Sequence, residues 1–243
     1  MNLVDFHCHY SHSNNNPYVI KDNLNLPRTH YICCCLDDDN LTALTKFKTN
    51  HIHVCAGQYP LYPKYSIDIN HIINLLNNNK LFAIGEIGLD KRNKDFNTQK
   101  DIFLKYCDLA SQYNIPIIIH CVGYYYEIFK LLKHNFQNLI KIFHCFCPSL
   151  EIAKTLKTQL NIDNVIISIN PKILNIKNSN IIIRYLTKNF NYAFETDYTY
   201  DYFPEVSYDL SLLINNIANC TKYDNKILFK NQWEVFKSLL KGC

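Results

Sequence analysis

The chain is 243 residues long, 48% hydrophobic and 19% charged, which supplies a large core and excludes a disordered chain or a disulfide-stapled miniprotein. Its formal charge is only +4, nearly all of the positive side is lysine, and arginine occurs at Arg28, Arg92 and Arg184 alone. That balance excludes the basic stripe of a dedicated double-strand DNA binder and leaves nucleic acid as a substrate held in a local site.

No apolar run reaches the roughly 18 residues of a membrane span, and the opening MNLVDFHCHY lacks the basic and long apolar segments of a signal peptide. Of the eleven cysteines, Cys33, Cys34 and Cys35 are consecutive, and Cys8, Cys55, Cys121, Cys145 and Cys147 sit inside apolar runs. With no CxxC pair, they read as small buried hydrophobes in a reducing compartment. The expectation is a cytoplasmic protein with one domain spanning 1–243 and no membrane association.

Taken in chain order, apolar runs rich in β-branched and aromatic residues occur at 3–10, 30–37, 53–60, 81–90, 116–123, 140–147, 164–170 and 192–199. Near-continuous apolar runs of this length predict parallel strands buried on both faces. Amphipathic stretches between them predict helices near 39–49, 67–78, 97–113, 124–135, 149–160 and 176–189, with further helix over about 206–219 and 231–240. In 97–113, Phe103, Leu104, Cys107, Leu109 and Ala110 form an apolar stripe, Asn97 stands at the cap position, and Pro116 opens the next strand. Eight strand–helix alternations predict an α/β fold, a (β/α)8 TIM-like barrel, with a doubly wound open sheet as the second choice.

Such a barrel places its active site at the C-terminal ends of the strands. Asp5, His7 and His9 alternate with apolar residues in the first run, and side chains at i and i+2 share a strand face about 6.6 Å apart. Two imidazoles so placed can lean toward one cation. Glu86 interrupts the fourth run between Gly85 and Gly88, His120 ends Ile117-Ile118-Ile119, His144 follows Ile142-Phe143, and Asp197 follows Ala193-Phe194. A buried, unpaired carboxylate costs several kcal/mol. Six such residues at strand ends therefore call for positive charge among them, and metal is the simplest source. Four imidazoles and two carboxylates suit two divalent cations bridged by Glu86, a pair that can activate a water and clamp a phosphoryl group. Imidazole-rich ligation favours Zn, with Mn or Mg admissible.

These residues resemble the TatD family of metal-dependent deoxyribonucleases, (β/α)8 proteins among the amidohydrolase-like metallohydrolases. DFHCH at 5–9 resembles the family's opening DxHxH, and GEIGLD at 85–90 matches its most distinctive segment. The stretch from Gln99 to His120, HCF at 144–146 and ETD at 195–197 complete the series in order. The resemblance implies that His7, His9, Glu86 and Asp197 hold one metal, that Glu86, His120 and His144 hold the other, and that Asp197 and Glu86 are catalytic. Asp197 would orient the attacking water and accept its proton. The implied activity is hydrolysis of DNA phosphodiesters, often from a 3′ end and on single strands.

The chain also departs from the family's pattern. Val122 stands where the family carries arginine, Tyr59 replaces the histidine of Gly-x-His-Pro, Cys147-Pro148 replaces Ser-Gly, and Tyr198-Thr199 replaces Ser-Pro. Valine cannot imitate the bidentate cation it replaces. Substitutes for phosphate handling are Lys91, Arg92 and Lys94, with Tyr59, Tyr124, Tyr125, Tyr126, Tyr198, Tyr200 and Tyr202 as aromatic contacts for unpaired bases. His12 lies in a polar loop near the His pair. His30, His51 and His53 belong at the opposite face of the barrel, and His71 and His134 on helices, so none of the five is a ligand of this site. Two alternatives stand beside the DNase expectation. One is a two-metal amide or ester hydrolase acting on a small or tRNA-linked substrate. The other is a nuclease subunit activated by protein partners in a multi-gene antiviral defence system.

Overall fold

The computed structural model describes residues 2–10, 29–46, 50–61, 66–200 and 208–241. Eight strands pair in parallel in chain order: β1 (Leu3–Tyr10), β2 (Thr29–Cys35), β3 (Ile52–Ala56), β4 (Ala83–Asp90), β5 (Ile117–Val122), β6 (Lys141–Phe143), β7 (Val165–Ile169) and β8 (Asn191–Phe194). A doubly wound sheet reverses its order at a switch point, so the unbroken sequence decides for the barrel. A two-residue strand, β9 (Thr199–Tyr200), pairs with β1 on its open side. The segment after β8 nearly closes the barrel: Asp197 donates its amide to the His7 carbonyl at 3.0 Å, and the His9 amide donates to the Tyr198 carbonyl at 2.7 Å.

Helices alternate with the strands: α1 (Asp38–Leu44), α2 (Ile69–Asn77), α3 (Phe96–Gln112), α4 (Tyr125–Asn135), α5 (Leu150–Gln159), α6 (Ser179–Asn189), α7 (Tyr208–Thr221) and α8 (Asn225–Lys241). Asp37, Asp68, Asp95 and Ser149 cap α1, α2, α3 and α5 by accepting backbone N–H bonds in the first turn. The cap of α3 is therefore Asp95 and not Asn97. The buried stripe of α3 includes Gln99 and Tyr106, while Leu104 is only partly covered. The final helix starts six residues before the predicted 231 because Asp224, through its carbonyl and carboxylate, collects amides of Lys226, Ile227 and Leu228.

The barrel interior is filled by Val4, Phe6, Ile32, Cys34, Cys55, Ala83, Ile118, Ile142, Ile166 and Ala193, and Val235, Phe236 and Leu239 of α8 close its N-terminal end. A second, larger cluster lies between strands and helices. Cys8, Cys33, Cys34, Cys35 and Cys55 are buried as expected, whereas Cys121, Cys145 and Cys147 near the strand C-termini are only partly covered. No helix among the described residues is long and apolar enough to cross a membrane.

Two strands break the simple alternation that the sequence suggests. The β1–β2 register shifts between Asp5 and Cys8, and the β4–β5 register shifts between Ile84 and Ile87. Val4 and Phe6 lie in the interior cluster, yet His7 and His9 gather above it, so Asp5 does not share their face. Bulges re-aim side chains beside functional sites. Here they turn His7, His9 and Glu86 into the barrel mouth.

Candidate metal centre

Glu86 occupies the middle of the cluster and is 3% exposed. Its Oε1 lies 2.9 Å from His144 Nε2 and 2.5 Å from His120 Nδ1. Its Oε2 lies 3.5 Å from His7 Nε2 and 3.6 Å from His9 Nε2. The two oxygens thus serve two separate imidazole pairs. Asp197 faces the first pair from the far side, with Oδ1 3.6 Å from His7 Nε2 and 3.8 Å from His9 Nε2. Three sets of donor atoms converge closely enough to hold an ion: His7, His9 and Glu86; Glu86, His120 and His144; and His7, His144 and Asp197. All six residues named from the sequence meet here.

The local chemistry fits cations. His9 Nδ1 sits 2.9 Å from the Cys34 carbonyl, which can only accept, so that ring nitrogen carries the proton and Nε2 keeps its lone pair. That lone pair faces His7 Nε2 at 3.2 Å. Burial, then His7, lower the His9 pKa, keeping the ring neutral. Burial pushes the Glu86 carboxyl up, but His144 and His120 outweigh it and hold it well below the ordinary range. Burial likewise opposes the charged form of His144, and Glu86 with Glu195 overcome it and raise the ring's pKa well above the usual histidine value. Protons on His144 and His120 supply the compensating charge that a metal can supply instead.

A family model described as TatD related DNase matches residues 4–241. The chain belongs to this family. An uncharacterized metal-dependent hydrolase of Methanocaldococcus jannaschii is 34% identical over 117 residues, 47% of this chain and 46% of that protein. Another, from Buchnera aphidicola subsp. Baizongia pistaciae, is 29% identical over 168 residues, 64% of this chain and 63% of that protein. The matched segments span between about half and just under two thirds of these relatives. Among solved structures, a TatD homolog from Escherichia coli K12 superposes with a TM-score of 0.76 at 18% identity, covering 98% of this chain and 97% of that one. A TatD family hydrolase from Entamoeba histolytica gives 0.68 at 13% identity over 96% of each chain. At those identities the likeness is one of fold.

Around the TatD-family donor set lies a ring of residues to which the sequence gave no role. Asp90 Oδ2 lies 2.8 Å from His120 Nε2, and Glu195 Oε1 lies 3.3 Å from His144 Nδ1, so each imidazole is oriented by a buried carboxylate. Glu195 also accepts the Cys145 amide at 2.6 Å. Asp5 accepts the Thr196 hydroxyl at 2.6 Å and its amide at 2.9 Å, tying β1 to the turn that carries Asp197. Asp197 and Cys145 both hold left-handed backbone, φ 60° and 45°. Non-glycine residues in that region are costly and gather at functional sites. Lys172, in the turn after β7, donates to Asp197 Oδ2 at 2.8 Å. Asp90 and Glu195 were visible as carboxylates ending apolar runs, the signal that marked His120. Lys172 carried no such signal, because only the fold brings its loop to Asp197.

The substrate contacts predicted from the sequence divide. Arg92 reaches the site's edge but its guanidinium is already committed to Asp90, with Nε 2.9 Å from Oδ1 and 3.0 Å from Oδ2. Tyr59 stands edge-on to His120, ring centroids 5.1 Å apart. Lys91 is exposed and runs over Gly123. Tyr198 is 43% exposed beside Asp197, and Val122 is 38% exposed at the end of β5. Tyr124 turns the other way and packs on Phe96 at 5.1 Å, while Tyr125 packs edge-on against Phe146 at 5.5 Å, so both are core contacts. Tyr126 lies on the α4 surface near Glu151. His12, Tyr202 and the Tyr200 side chain lie outside the described residues.

Proposed function

We propose that the protein is a metal-dependent hydrolase that cleaves phosphodiester bonds in DNA, acting on single strands or ends. The observation that carries this reading is Glu86, whose two oxygens face two different imidazole pairs, the arrangement a carboxylate needs to bridge two cations. His7, His9, Glu86 and Asp197 would hold one divalent ion, and Glu86, His120 and His144 the other. Such a pair supplies Lewis acidity and a water activated at neutral pH. Family membership supports hydrolysis, and the description of its model supports DNA as the substrate.

The protein's own groups do the rest. Asp197 accepts the proton of the attacking water, its carboxylate held in place by Lys172 and by the left-handed turn. Asp90 and Glu195 fix the orientation of His120 and His144, so little rearrangement is needed as charge develops. Lys172, 65% exposed at its side chain, presents a cation at the mouth where Val122 leaves a neutral surface. Tyr59 and Tyr198 offer ring faces and edges to unpaired bases at the same rim.

The test is degradation of 3′-labelled and 5′-labelled single-stranded DNA by metal-stripped protein resupplied with Zn, Mn or Mg. Product should require metal and vanish in Glu86→Gln. Asp197→Asn should lose about 10²- to 10⁴-fold in kcat, the range for a positioned general base, with an unchanged circular dichroism spectrum. Metal-loaded protein that leaves both substrates intact would reject the DNase reading.

A further inference from the structure

The chain carries a second HxH segment, at the other end of the barrel. His51-Ile52-His53 lies where β3 begins, and His30 stands beside it on β2. The register pairs Ile32 with His53 and Tyr31 with Ile52, which brings His30 level with His51. His30 Nδ1 lies 3.1 Å from His53 Nε2. The His30 and His51 rings are 4.7 Å apart between centroids. Two nitrogens bound tetrahedrally to one zinc at about 2.0–2.1 Å stand about 3.3 Å apart. The facing imidazole nitrogens of the candidate metal centre show similar spacings, 3.2 Å for His7 and His9 and 3.4 Å for His120 and His144.

We propose that His30, His51 and His53 form a metal site for a borderline transition ion such as Zn²⁺, Co²⁺ or Ni²⁺ at the N-terminal end of the barrel, separate from the centre at the strand C-termini. All three side chains are partly exposed, so an ion can reach them. His53 also lines a cavity of about 350 Å³ with Thr45, Asn79 and Lys80, room for a water in a fourth position. The apolar floor is Phe236, whose ring centroid lies 4.9 Å from both His30 and His53. Burial and the neighbouring rings lower the His30 pKa to about 4, and the His53 pKa to about 3, leaving both as neutral donors at ordinary pH. A bound ion would join β2 to β3 at the base of the barrel, where only side-chain packing against α8 now holds the rings.

The chain's single tryptophan reports on this site, since Trp233 lies 5.3 Å from His30 between ring centroids. Metal-stripped protein titrated with Ni²⁺ under selective tryptophan excitation should show saturable quenching. The same quenching should occur in Glu86→Gln and disappear in His30→Asn and in His53→Asn. Zn²⁺ should raise the melting temperature of Glu86→Gln but not of Glu86→Gln/His53→Asn. If either β-strand variant fails to fold, His51→Asn, at the edge of the cluster, takes its place and should weaken Ni²⁺ binding at least tenfold. Quenching that is absent, that survives all the histidine replacements, or that is lost in Glu86→Gln would overturn the site, the first result leaving a His30–His53 pair that shares only a proton. Because Glu86→Gln disables the proposed catalytic centre, this outcome is read independently of whether the protein cleaves DNA.

Discussion

Asp197 divides its carboxylate between two neighbourhoods, Oδ1 toward His7 and His9 and Oδ2 toward Lys172. Burial raises its pKa, but His7 and His144, with Lys172, outweigh burial and keep it in the charged form. Lys172 therefore both steadies this carboxylate and adds a positive charge at the rim. Lys172→Met should raise KM for single-stranded DNA several-fold and flatten the dependence of KM on salt concentration, with the fold intact. Steady-state kinetics between low and moderate salt check it; an unchanged salt slope would remove Lys172 from substrate handling. Arginine is normally the residue for forked phosphate contacts. Arg92 is the only arginine at this mouth, and Asp90 already occupies its fork.

At the scale of the element, the two irregular strands explain the site's geometry. Gly88 pairs with His120 across β4 and β5, and a methyl group on Gly88 would collide with the His120 carbonyl oxygen. Gly88→Ala should push β4 away from β5, separate Glu86 from His120, and cost about 1–3 kcal/mol of stability. Because misplacement by about 1 Å can cost 10²-fold in rate, metal-dependent activity should fall further than stability does. Chemical denaturation beside activity measurements separates the two. Much of this was legible beforehand. Buried parallel strands leave continuous apolar runs, and polar residues ending such runs stand out, which is how all six donor residues were found. The bulges were not legible, because alternation read along β1 puts Asp5 with His7, and nothing local in the sequence marks where the pleat slips. The sixth strand also stops at Phe143, earlier than its apolar run, because Cys145 turns left-handed to reach Glu195. At the start of that strand Lys141 is fully buried, its Nζ donating to the Gln137 and Leu139 carbonyls, and burial lowers its pKa to about 8. The unfolded chain then binds this proton more tightly between about pH 8 and 10.5, so this position costs stability below pH 8 and the cost fades as pH rises through that window. Relative to Lys141→Met, the wild type should gain in melting temperature from pH 8 to 10; a constant difference would contradict the assignment.

For the whole molecule, the base of the barrel depends on one ring. Phe236 is fully buried and meets Phe6 and Phe82 at 6.3 Å each, besides the two histidines. Phe236→Ala should cost about 3–5 kcal/mol, which lowers the melting temperature of a chain this size by about 10 °C. Calorimetry would show it, and a much smaller loss would mean the interior refills from α8. The opposite end depends on closure. Glu86, His120 and His144 come from neighbouring strands, whereas Asp197 reaches His7 only where the last strand meets the first, and Thr196 and Asp5 bond across 191 positions of sequence. Contacts so distant form late in folding. During synthesis, one donor set is complete once residue 144 has been made, but the carboxylate that takes the proton waits for the ring of strands to shut. An unfinished chain can gather metal and still cut nothing, so closure of the barrel acts as a safety catch on the chemistry.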